Sequence, residues 1–183
     1  MLNKVITIDQ VMSWEPCYDR EKILRLSRGK TELTVGEIID LRFVPAEDKL
    51  WILLREECIP AETLHEFALW CAETALTKAN VTDERSWNAL KVKRLWLDGK
   101  ATDKELDAAM DAARDAGWYV ARDAGWYVAR YAARYTARAA ARYAALTAAS
   151  DAARAAAMDA QLAKLKEMLG GQANENLLPT QCH

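Results

Sequence analysis

Histidine is almost missing from this chain: His65 and His183 are the only two among 183 residues. There is accordingly no H-E-x-x-H and no Cys/His array, and the chain also lacks G-x-S-x-G and any Gly-rich phosphate loop. Proline and glycine are scarce, with 4 and 7 copies, and fall where helices would begin or end. Charge of either sign is not in excess. The net charge of −2 leaves no global field to steer a polyanion or an acidic substrate. Long apolar runs are absent as well. Nothing approaches the roughly 18–20 apolar residues that cross a bilayer, and the opening MLNKVITIDQVMSWEP carries no secretory apolar core. No membrane association is expected, and the cytoplasm is the expected compartment. Cys17, Cys58, Cys71 and Cys182 have neither C-x-x-C nor metal-ligand spacing, so they read as free thiols, mainly buried.

What the chain does have is helix. Thr7 can cap a short helix closed by Glu15-Pro16, and a second runs from about Tyr18 to Ser27 with Gly29 as its stop. Thr34 and Glu37 have capping-box spacing, and Pro45 opens a helix expected to run through Ile59. Pro60 opens another, with Leu64, Phe67, Ala68, Cys71, Ala75 and Leu76 at three- and four-residue steps. Asp83 starts the next, and Gly99 ends it. The only place where a strand is conceivable is MLNKVITI. Trp51, Trp70, Trp87 and Trp96 are expected as core anchors.

From Thr102, again with a capping-box Glu105, no proline intervenes until Pro179, and alanine dominates. Alanine is the strongest helix former, so helix is expected almost continuously to Leu169, with Gly170-Gly171 as its end. A single helix over 103–169 would be on the order of 100 Å long. The alternative is a helical hairpin broken near Gly117 or Gly125. The expected fold is therefore all-α: several short helices over 1–101, a very long Ala-rich helix over 102–169, and a loose tail over 170–183.

The octad ARDAGWYV stands at 113–120 and again, unchanged, at 121–128. Around it the chain keeps a period of four, which rotates each column of residues about 40° per step around a 3.6-residue helix. No straight partner follows one column throughout. Trp118, Tyr119, Arg122, Trp126, Tyr127, Arg130, Tyr131, Arg134, Tyr135, Arg138 and Arg142 are the candidate partner-binding residues. Residues 129–150 hold four arginines and no acid. This basic, Tyr-interleaved tract suits phosphate tracking with ring stacking, against the plainer reading of a solvated face that keeps an Ala-rich rod in solution. The duplicated octad is better evidence of an extended, loosely specified helix than of a doubled site.

No residues converge as a catalytic, cofactor or metal set. His65 has Glu62 three positions before it and Glu66 beside it, a spacing open to a metal or a general base, but an ordinary helix histidine is the simpler reading. Arg55-Glu56-Glu57 pairs two carboxylates that a helix would point about 100° apart.

The succession WEPC (14–17), PAEDKLWILLREE (45–57), LHEFALWCAETAL (64–76), LWLDGKATDKELDAAMDAAR (95–114) and DAARAAAMDAQ (151–161) resembles a family of bacterial and phage-borne immunity proteins. That resemblance implies a protein that neutralises a toxin or effector by binding it. It carries no catalytic or binding residue with it. The expected function is non-enzymatic masking of a partner protein, whether toxin or host effector. The alternatives are self-assembly into an oligomer or filament through the Ala-rich helix, and weak nucleic-acid binding through Arg130, Arg134, Arg138 and Arg142.

Overall fold

The computed structural model describes residues 1–115 and 151–175, with side chains placed for 1–113 and 154–170. Among the described residues, eight helices and one two-stranded sheet follow in the order β1 (Val5–Thr7), α1 (Ile8–Ser13), α2 (Arg20–Leu26), β2 (Glu32–Thr34), α3 (Val35–Asp40), α4 (Ala46–Leu53), α5 (Ala61–Lys78), α6 (Glu84–Leu97), α7 (Asp103–Asp115) and α8 (Asp151–Glu175). The fold is mostly helical, as expected, with one small two-stranded sheet added. β1 lies where the sequence permits a strand, and β2, which no alternation announces, pairs with it antiparallel in the register Val5↔Thr34, Ile6↔Leu33, Thr7↔Glu32.

Capping chemistry sets most helix starts. Thr7 with Gln10 and Thr34 with Glu37 form complete capping boxes, so the last residue of each strand is also the first cap of the following helix. Thr102 and Glu105 exchange the same hydrogen bonds at the start of α7. Asp19 and Asp83 cap α2 and α6. Three helices end in a left-handed residue that is not glycine: Glu15 after α1, Arg28 after α2 and Asn80 after α5. The expected stop at Gly29 is therefore shared with Arg28.

Helix α4 stops at Leu53, six residues before the expected end at Ile59. Leu54 has φ −77° and ψ 62°, and the Arg55 N–H donates to the Leu53 carbonyl at 2.8 Å, an inverse γ-turn. The turn swings Arg55 out of helical register and between two indoles. Its guanidinium lies 4.3 Å from the Trp14 ring centroid and 4.4 Å from that of Trp51, at 3 % exposure.

The core is built around α5, whose Leu64, Phe67, Ala68, Leu69, Cys71, Ala72 and Leu76 are buried. Ile38 and Ile39 of α3, Leu50 and Leu53 of α4 and Leu90 of α6 close on it. So does α8, through Met158, Leu162, Leu165 and Leu169, all within the same buried cluster. These four sit at steps of four, three and four, one stripe of an amphipathic helix. Contacts of α8 run to α3, α4 and α5, and Lys166 pairs with Asp40 of α3. Helix α7 packs on α6, burying Leu106, Ala109, Met110 and Ala113.

Two expectations about the C-terminal half meet the structure differently. Helix α8 passes through Gly170 and Gly171 and ends at Glu175, so the glycine pair does not terminate it. Packing of the 158–169 stripe offsets the cost of two flexible residues. The single helix over 102–169 depends on residues 116–150, which lie outside the described residues; what is described is a helix of 13 residues at one end and one of 25 at the other. None of the described helices is long and apolar enough to cross a membrane.

Candidate functional site

The eleven aromatic and arginine residues proposed as a binding face, Trp118, Tyr119, Arg122, Trp126, Tyr127, Arg130, Tyr131, Arg134, Tyr135, Arg138 and Arg142, all lie outside the described residues. The described part offers a different site, a cavity of about 240 Å³ enclosed by α1, α2, β2, α3, the 41–44 turn and α4. Its walls are apolar: Val11 from α1, Ile23 and Leu26 from α2, Leu33 from β2, Ile38 from α3, Val44 from the turn, Trp51 and Ile52 from α4. The volume exceeds that of a ~150 Å³ apolar cavity able to take up benzene. It falls short of the roughly 300–1,000 Å³ of sites for drug-sized ligands. One large side chain or a small aromatic molecule fits these dimensions.

Capping helps to place the elements that line the cavity. The capping boxes at Thr7 and Thr34 fix where β1 hands over to α1 and β2 to α3, and because the strands are antiparallel the two short helices leave from opposite ends of the sheet. The short helices α1, α2 and α3, of six, seven and six residues, each contribute liners, and α4 adds Glu47, Asp48, Trp51 and Ile52. The Glu15-Pro16-Cys17 bend, started by Glu15 in the left-handed region at φ 54°, supplies Pro16 and Cys17 to the lining. A residue held there without being glycine costs on the order of 1 kcal/mol, which the stacking of Trp14 on Arg55 helps to offset.

The polar lining is acidic. Glu32, Glu47 and Asp48 contribute three carboxylates, and among the described residues no lysine or arginine lines the cavity. The exposed liners Cys17, Glu32 and Glu47 put the opening on their side. Glu32 and Glu47 have no ion-pair partner among the described residues. Asp48 accepts a hydrogen bond from the Tyr18 hydroxyl at 3.0 Å. That bond and the Asp48 charge raise the Tyr18 pKa, with smaller contributions from burial, Cys17 and Glu47. The phenol therefore stays protonated and remains a donor. Lys22 Nζ sits 3.5 Å from the Tyr18 ring centroid, a cation on the outer face of the site. Ser27 is buried with its hydroxyl committed to the Leu24 and Lys30 carbonyls, so it offers a ligand little. Phe43, 81 % exposed, lies in the 41–44 turn between Arg42 and the cavity liner Val44.

His65 proves to be a packing residue with an unusual neighbour. Its ring meets Trp96 edge-on, centroids 6.5 Å apart at 79°, and its Nδ1 is buried without a hydrogen-bond partner. Lys93 of α6 is 2 % exposed, with Nζ 3.8 Å from the Trp96 ring centroid. Burial lowers the His65 pKa to about 4, assisted by the Lys93 charge and opposed by Glu62. Burial alone brings Lys93 down to about 8. Among the described residues no three His, Cys, Asp or Glu side chains gather closely enough to hold a metal ion.

The tryptophans divide. Trp51 and Trp70 pack against the core as expected, whereas Trp87 is exposed and donates its indole N–H to the Val81 carbonyl at 2.8 Å. Cys58 and Cys71 are buried, and burial drives the Cys58 pKa up to about 12 and that of Cys71 higher still; Cys17 is exposed. Sequence reasoning missed Tyr18, Glu47, Asp48 and Phe43 as site residues. Tyr18 and Asp48 are 30 residues apart and meet only through tertiary packing; a lone Phe43 between Arg42 and Val44 carries no local signal.

No family model, curated protein or solved structure matches this chain.

Proposed function

We propose that this chain is a non-enzymatic binding protein that masks a partner protein, as an immunity or anti-defence factor does. The observation that carries the reading is a preformed apolar cavity whose liner Val44 directly follows the exposed Phe43, while the other large apolar groups among the described residues are mostly packed away. A hydrophobic anchor point with an aromatic neighbour is the usual nucleus of a protein–protein contact. The resemblance of the 14–17, 45–57 and 64–76 segments to immunity proteins agrees with it. Two of those segments help form the site: Pro16, Cys17, Glu47, Asp48, Trp51 and Ile52 all line the cavity.

The test is a photo-crosslinking amino acid in place of Phe43, with the protein expressed at native level in its own cells. A discrete hetero-crosslink, lost when Ile52→Trp fills the cavity, is the expected result. Crosslinks only between copies of this chain would instead establish the self-assembling alternative. Absence of any crosslink would overturn the reading.

A further inference from the structure

We propose that the cavity between α1, α2, β2, α3 and α4 accepts one large apolar side chain of a partner protein whose neighbouring residue is lysine or arginine. This rests on the partner-masking reading above and names the chemistry by which that partner is recognised.

Three features lead to it. The volume of about 240 Å³ holds a single aromatic or branched side chain, not an extended ligand. The walls are apolar, so the inserted group is one that gains by leaving water. The lining has three carboxylates, Glu32, Glu47 and Asp48, and no cation among the described residues. Lys22 lies over the ring of Tyr18 and Arg42 follows the liner Leu41 in the chain, but neither lines the cavity, so the lining itself is net negative. Tyr18 does not relieve this, because its hydroxyl already donates to Asp48. An acidic flank on the inserted residue would meet like charge without a counterion, whereas a basic flank meets Glu47 and Glu32, both exposed and without ion-pair partners among the described residues. Such wet carboxylates discriminate between partners and speed encounter more than they deepen affinity. The apolar group supplies the hold and the charge supplies the selection.

The experiment titrates three probes into the full-length chain: indole, and the acetylated, amidated tripeptides Lys-Trp-Lys and Glu-Trp-Glu. The readout is the methyl resonances of Ile23, Ile38 and Ile52 at low and high salt. All three isoleucines line the cavity. Lys-Trp-Lys is expected to shift these methyls and to bind about tenfold more tightly than Glu-Trp-Glu at low salt, the ratio shrinking as salt screens the carboxylates. Glu47→Lys, at an exposed position in the first turn of α4, should abolish the preference, and Glu47→Gln should narrow it. Equal affinity for the two tripeptides, or a preference that Glu47→Lys leaves untouched, overturns the inference. In that case indole shifts at the same methyls, together with a hetero-crosslink from position 43, would leave the partner-masking reading standing with a partner of different chemistry. If no probe moves these methyls, the cavity is not a binding site and the inference fails outright; the crosslink then decides the reading by itself.

Discussion

Arg55 is the residue on which the N-terminal region turns. An inverse γ-turn takes it off α4, and the two indoles of Trp14 and Trp51 hold its guanidinium at 3 % exposure. A cation desolvated between aromatic faces is worth on the order of 2 kcal/mol. A double-mutant cycle on Trp14→Leu and Arg55→Met, read by chemical denaturation, is expected to give a coupling of about 1–2 kcal/mol; a coupling near zero would mean the three groups merely fill space. Lys93 makes the opposite point, a buried cation whose charge is unfavourable. Its pKa is about 8 in the folded chain against 10.5 for an unperturbed lysine. The unfolded chain thus binds more protons between those values, and stability rises with pH across that window. Lys93→Met should remove this rise and stabilise the protein at pH 7 by about 1 kcal/mol or more, measured as a shift in denaturation midpoint. His65 has the same sign at lower pH. With a folded value of about 4 against 6.5 unfolded, its contribution is complete above pH 6.5 and is lost as pH falls towards 4. His65→Leu should flatten that part of the acid limb relative to the parent chain.

At the scale of the element, starts and stops obey different rules. Thr7, Thr34, Asp83 and Thr102 were readable as starts because a cap acts on backbone N–H groups two or three residues away. Stops were less legible. Helix α4 ends at Leu53 because Arg55 has a tertiary place to go, and α8 runs through Gly170-Gly171 because its leucine stripe is already anchored on the core. Gly170 tests the second case. A Cβ added there meets nothing within 4 Å, and the residue lies inside the helix. Gly170→Ala should therefore raise stability by roughly 0.5–1 kcal/mol, where a glycine that really terminated the helix would lose stability on the same change.

At the scale of the whole molecule, the C-terminal helix belongs to the core. Leu165 and Leu169 are fully buried against elements more than a hundred residues earlier, and Lys166 reaches Asp40. Leu165→Ala should cost about 2–5 kcal/mol, like other buried leucines, and its effect should appear in the unfolding of the entire cooperative unit. A chain ending at residue 115 should lose cooperative thermal unfolding, because α3, α4 and α5 would expose to water the apolar surface on which α8 packs. Retention of a sharp transition by that truncation would show the first 115 residues to be self-sufficient.

By itself the sequence determined the helical character, nearly every helix start, the apolar stripe of α5 and the free thiols of Cys17, Cys58 and Cys71. Those properties depend on neighbours within about four residues, where spacing and chemistry are visible along the chain. Only the tertiary structure decided that α8 completes the core, that β2 finds β1, and that Tyr18 meets Asp48 over an apolar cavity. These are meetings between segments 25 to more than 100 residues apart. Their free energy comes from burial and charge pairing that no local pattern encodes, so a duplicated octad could draw attention while Phe43 and Glu47 passed unnoticed.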